Sequence, residues 1–153
     1  MCGMDFFATK VISVSANTTK TLIQLAAATN VRPKIKRITV MAKGGATSDK
    51  PAKIVIMRQT ADGTGTSLTL TKEDTDAAET LQTTAKHTYT VEPTSGSEIA
   101  SGHINVFGGQ FIYIPTQARG LLLNGGDALG VVVTTDSAAS GAADFSITID
   151  CEE

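Results

Sequence analysis

The sequence predicts an all-β fold, an antiparallel sandwich of jelly-roll type with roughly eight to ten strands and at most one or two short helical turns. Three observations carry this. Apolar residues alternate at period two in several segments. Turn residues recur about every ten to twenty positions. Thr is the commonest residue while aromatics make up only 5%, a composition that favours strands and turns over helices.

The clearest alternation is near the C-terminus, where Phe145, Ile147, Ile149 and Cys151 interleave with Ser146, Thr148 and Asp150. Such a strand buries one face and turns the other to solvent or a partner. Lys10–Ser15 is expected to point Ile12 and Val14 inward, and Ser67–Thr71 to point Leu68 and Leu70 inward. Lys53–Thr60 and Leu129–Thr135 are apolar on both sides, as in strands covered on two faces. Thr21–Thr29 is rich in Leu and Ala, good helix formers, but its β-rich surroundings favour a strand. Thr71–Leu81 is the best helical candidate, with Thr71 as a cap and Asp74 three residues on.

Turn signals separate these segments: Lys43–Pro51 with its Gly44-Gly45 pair, Asp62–Gly65, Pro93–Ser97, Gly108-Gly109, Asn124–Asp127 and Ser137–Ala143. Gly, Asn and Asp supply the left-handed backbone that tight turns need. At 153 residues a single domain, 1–153, is expected, with a core large enough to need no metal or disulfide framework. No apolar run approaches the ~18 residues of a membrane span, so no membrane partner is expected. Met1–Asp5 lacks the basic start and apolar stretch of a secretory signal, which predicts folding in a reducing cytoplasm. Cys2 and Cys151 are then expected as free thiols, Cys151 buried by its strand pattern, unless the two termini meet, where a disulfide could join them.

The net charge of −2 hides an asymmetry. Residues 1–58 carry ten Lys/Arg and two acids, and residues 59–153 three Lys/Arg and thirteen acids, or +8 and −10. This can serve an anion-binding half or neighbouring copies with complementary surfaces, unless strands of the two halves interleave and mix the charges. The densest basic group is Arg32, Lys34, Lys36 and Arg37. Lys34 and Lys36 fall on one face of an extended strand, but no aromatic residue interleaves them for base stacking, so no nucleic-acid partner is expected. A strand edge kept from pairing by charge, or a contact with an acidic protein surface, suits them better.

Chemical motifs are sparse. His87 and His103 stand sixteen positions apart, outside any metal-binding spacing, and His87 alternates with Tyr89 and Val91 as a packed strand residue would. No GxSxG elbow is present. Gly63-Thr64-Gly65-Thr66 lacks the GK[ST] ending of a phosphate loop and reads as a hairpin turn. Glu73, Asp74, Asp76 and Glu79 lack the calcium-loop pattern. With no acid/base pair, metal set or nucleophile motif, no cofactor, metal or enzymatic activity is expected. A jelly-roll carbohydrate-binding module generally presents Trp or Tyr platforms, and this chain has no Trp and two Tyr.

The order of segments carries a resemblance. Thr21–Ala27, Ile35–Val40, Pro51–Thr60 followed by Gly63–Thr66, Tyr89–Pro93, Gly109–Tyr113 and the closing strand ending Glu152-Glu153 resemble small structural proteins encoded in the virion-gene regions of tailed phages and prophages. The similarity covers most of the chain, and its motifs are structural rather than catalytic. It implies a capsid cement or decoration protein of jelly-roll fold, made in the host bacterial cytoplasm and located on the virion's capsid surface. Its partners would be the major capsid protein and, as a homotrimer, its own copies. A tail or neck fibre or adaptor component is the alternative within the virion. The expected capsid or subunit contacts are Arg32, Lys34, Lys36 and Arg37, the loop residues Lys43 and Lys50, and Phe111 and Tyr113. The apolar segments Phe111–Ile114 and Leu129–Val133 are expected to bury their second face between subunits.

Overall fold

The computed structural model describes residues 3–46, 50–76, 78–116, 120–136 and 142–153. Its elements are β1 (Asp5–Val14), β2 (Thr19–Ala26), β3 (Lys34–Ala42), β4 (Pro51–Ala61), β5 (Thr64–Leu68) and β6 (Thr71–Lys72), then β7 (Thr84–Val91), β8 (Thr94–Asn105), β9 (Gln110–Tyr113), β10 (Leu121–Leu122), β11 (Ala128–Thr135) and β12 (Ala143–Glu152). Among the described residues there are twelve strands, against the roughly eight to ten expected. The surplus lies in short pieces such as β6, β9 and β10, too brief to show a period in sequence.

Two six-stranded antiparallel sheets pack as a β-sandwich. The first runs β10-β3-β12-β1-β6, with β9 also on β3, and the second β5-β7-β2-β11-β4-β8. Alternation explains the faces. Phe6, Ala8, Ile12 and Val14 of β1, Ile35, Ile38 and Val40 of β3, and Phe145, Ile147, Ile149 and Cys151 of β12 are buried. Opposite them lie Ile23 and Leu25 of β2, Ile54 and Ile56 of β4, and Leu129, Val131 and Val133 of β11. Each large aliphatic or aromatic side chain buried in this way contributes about 1.5–3 kcal/mol.

The helix expected over Thr71–Leu81 is absent among the described residues. Thr71 and Lys72 pair with Phe7 and Phe6, and the chain then turns where the Asp76 N–H donates to Asp74 Oδ1 at 3.0 Å. An Asp side chain that captures a backbone N–H two residues on competes with helix formation, and Leu70 and Leu81 at the segment's ends pack on the core. The Leu/Ala-rich stretch forms β2, as expected. Cys2, Thr47–Asp49 of the Lys43–Pro51 turn and most of the Ser137–Ala143 turn lie outside the described residues.

Leu129–Val133 does not offer a free apolar face. Val132 on the outward side is buried between its cross-strand neighbours Val55 and Thr21, which are buried too, and at Gly130 the Gln59 side chain of β4 fills the outward space, where a Cβ would sit 2.3 Å from Gln59 Cδ. On another flank the Phe111 ring of β9 closes over Gly102 of β8, filling the space a Cβ would take at 2.7 Å. That contact joins the margins of the two sheets.

Candidate functional site

The basic strand sits where the two charge-biased halves of the chain meet. β3 pairs with β12, and β12 with β1, so residues 34–37 lie beside residues 150–152. Lys34 Nζ stands 3.7 Å from Glu152 Oε2, and Lys36 Nζ reaches Asp5 Oδ1 at 2.6 Å and Glu152 Oε2 at 3.5 Å. The hydrogen bond to Asp5 raises the Lys36 pKa above the usual lysine value, against a smaller lowering by burial. Arg37 donates through Nε and Nη2 to Asp150 Oδ2, both at 2.7 Å. Elsewhere Lys20 pairs with Glu92 and Arg58 with Asp127. The +8 and −10 of the sequence halves are therefore largely mixed by strand pairing.

A bulge governs which basic residues face outward. Between the pairs Asp150↔Arg37 and Cys151↔Ile35 the register shifts, making Lys36 the extra residue. Strict alternation would place Arg37 with Ile35 on the buried side. The shift returns Arg37 to the outer face, while Ile35 and Ile38 stay buried.

That outer face is regular. Across β9, β3, β12 and β1 the register aligns Gln110, Met41, Ser146 and Val11 in one row and Ile112, Thr39, Thr148 and Thr9 in the next. A third row holds Arg37, Asp150 and Phe7, with Ile114 just past the end of β9. Thr9 Oγ1 donates to Thr148 Oγ1 at 3.3 Å. Ile114 is 62% exposed, Ile112 50%, Val11 47% and Met41 46%. The only charges in the three rows are Arg37 and Asp150, which neutralise each other. Exposed apolar side chains grouped this way on one sheet face mark an interaction surface.

The other expected contacts are distributed differently. Phe111 and Tyr113 pair with Val40 and Ile38 and pack against the core, so the exposed members of that segment are Ile112 and Ile114. Arg32 and Lys43 are exposed at opposite ends of β3, and Lys50 is half-buried just before β4. Arg32, Lys43 and Lys50 are not brought into one basic patch with Lys34, Lys36 and Arg37.

Groups with chemical potential are otherwise occupied. His87 is 8% exposed, with Nδ1 2.7 Å from Thr88 Oγ1. Burial, and then the charge of Lys10, hold its pKa below the ordinary value. Burial pushes the Tyr89 hydroxyl and the Cys151 thiol well above their usual ranges. An open cleft is lined by Asp5, Glu73, Asp74, Glu79 and Glu153, but Glu153 accepts the Gln82 and Thr83 N–H groups at 2.8 and 2.9 Å and Asp5 is paired with Lys36. Among the described residues no group of three or more His, Cys, Asp or Glu is arranged to hold a metal ion.

Compared with known proteins, the chain matches no family model and no curated relative.

Proposed function

We propose that this protein is a structural interaction protein, and in particular a cement or decoration protein of a tailed-phage head, of jelly-roll type, whose target is the major capsid protein. The observation that carries the interaction role is the outer face of the first sheet: four strands in register and exposed Ile112, Ile114, Met41 and Val11, with Arg37–Asp150, the one ion pair of the three central rows, neutralising itself. A surface of this kind suits repeated protein contacts, in which many copies of a modest interface add up. The capsid as target follows from the resemblance in the order of segments.

Purified protein mixed with undecorated phage heads tests the proposal. Co-sedimentation with the heads and increased heat resistance of the particles are expected. Unbound protein, with particle stability unchanged, rejects the cement role.

A further inference from the structure

The outer face of the first sheet has a second order, along its strands. The outward residues of β3, continued by one residue, are Lys34, the bulged Lys36, Arg37, Thr39, Met41 and Lys43. Facing them on β12 are Glu152, Asp150, Thr148, Ser146 and Asp144, the last accepting the Lys43 N–H through its carbonyl at 2.8 Å. One column is basic at both ends and uncharged in the middle. The adjacent column is acidic at the same two ends and uncharged in the middle.

This pattern is complementary to itself under one symmetry operation. A two-fold axis lying in the plane of the face, between β3 and β12 and parallel to them, exchanges the columns. Lys34, Arg37 and Lys43 of one copy then oppose Glu152, Asp150 and Asp144 of the other, row by row. Ile114 opposes Phe7, Ile112 opposes Thr9 and Gln110 opposes Val11. An in-plane axis perpendicular to the strands would instead set Lys34 against Lys43 and Glu152 against Asp144, like charge against like. The register thus selects one geometry and disfavours the other.

We infer that this face binds a second copy of the same chain in an isologous two-fold contact with the axis along β3 and β12. The inference rests on the face being the protein's interaction surface, and it names the occupant. Both complementary columns belong to one chain at a spacing set by its own sheet, so a second copy supplies both at once. The extent is sufficient. Three strands about 4.8 Å apart over the length of β3, with β9 beside its Ile38–Met41 part, give a projected footprint of roughly 500 Å² per copy. With side-chain relief on both copies this approaches the ~1,200 Å² at which specific interfaces begin. The trimer implied by the resemblance would need a different, heterologous contact.

Light scattering of the purified full chain at high micromolar concentration tests this. The expected mass is two chains, about twice 15.9 kDa. Ile112→Glu and Val11→Glu each place a carboxylate on exposed positions and should reduce the mass to one chain with thermal unfolding otherwise unchanged. Mixing Ile112→Cys and Thr9→Cys variants, each in a Cys2→Ser background with Cys151 buried, should give a pair joined by a short bifunctional thiol reagent that neither variant forms alone. A single-chain or three-chain mass at all concentrations overturns the inference, as does cross-linking of Ile112→Cys with itself. Loss of head binding by Ile112→Glu in a protein that is always a single chain would keep the cement role and assign the face to the shell. A two-chain protein with no affinity for heads would reject the cement role and leave the two-fold contact standing.

Discussion

Arg37 and Asp150 are 113 residues apart in sequence, yet two guanidinium nitrogens of Arg37 converge on one oxygen of Asp150 at 2.7 Å. The Arg37 side chain is 56% exposed and that of Asp150 13%. The pair therefore sits at the surface but leaves its carboxylate poorly solvated. Removing the base strands that carboxylate, which costs more than an open surface pair would.

Arg37→Ala should destabilise the fold by about 1 kcal/mol, lowering the melting temperature by roughly 2–4 °C for a domain of this size. Thermal denaturation at neutral pH measures it. Asp150→Asn should cost less, because it removes the charge that needs a partner.

Lys36→Glu would bring a third carboxylate to Asp5 and Glu152. The expected loss is about 1 kcal/mol at low ionic strength, shrinking as salt screens the repulsion. Denaturant titrations at two salt concentrations check it, and a loss independent of salt would show that Lys36 acts through packing.

Gly102→Ala should destabilise by roughly 1–3 kcal/mol, since its Cβ would enter the space of the Phe111 ring. In a Phe111→Leu background the same substitution should cost clearly less. A double-mutant cycle reads the coupling, and strict additivity would remove this contact from the closure of the two sheets.

His87 adds an acid sensitivity. Its pKa is held below the ordinary 6.5 by burial and by Lys10, so as pH falls the unfolded chain binds this proton first. Stability should decline below about pH 6.5 and level off once the folded His87 is also protonated. His87→Phe should flatten that part of the profile, as followed by urea unfolding across pH 5–8.

Cys151 is 1% exposed and burial raises its pKa, so its thiol should resist alkylation in the native protein. In a Cys2→Ser variant, labelling should proceed only at the rate of unfolding. Rapid native labelling would show that the end of β12 opens locally.

Much of the fold was legible in local pattern. The alternation of Phe145, Ile147, Ile149 and Cys151, and of Ile12 and Val14, put the right side chains in the core because a strand has a fixed side-chain period of two. The Thr71–Leu81 segment misled because a cap-like Thr and a nearby Asp favour a helix start and a turn alike. The expected interaction residues were only partly legible. Phe111 and Tyr113 share a segment with Ile112 and Ile114, and alternation alone does not say which pair faces the core.

The sequence by itself determined an all-β chain, the inward face of its principal strands and a basic stretch at residues 32–37. Tertiary structure decided what that stretch meets. Pairing of β3 with β12 and β12 with β1 joins residues more than a hundred positions apart, a choice made by packing the two sheets and not by any local signal. The bulge at Lys36 then turned Arg37 from the side of Ile35 to the side of Asp150, because one extra residue reverses the facing of those beyond it. The outer face, with its matched basic and acidic columns, exists only through that register.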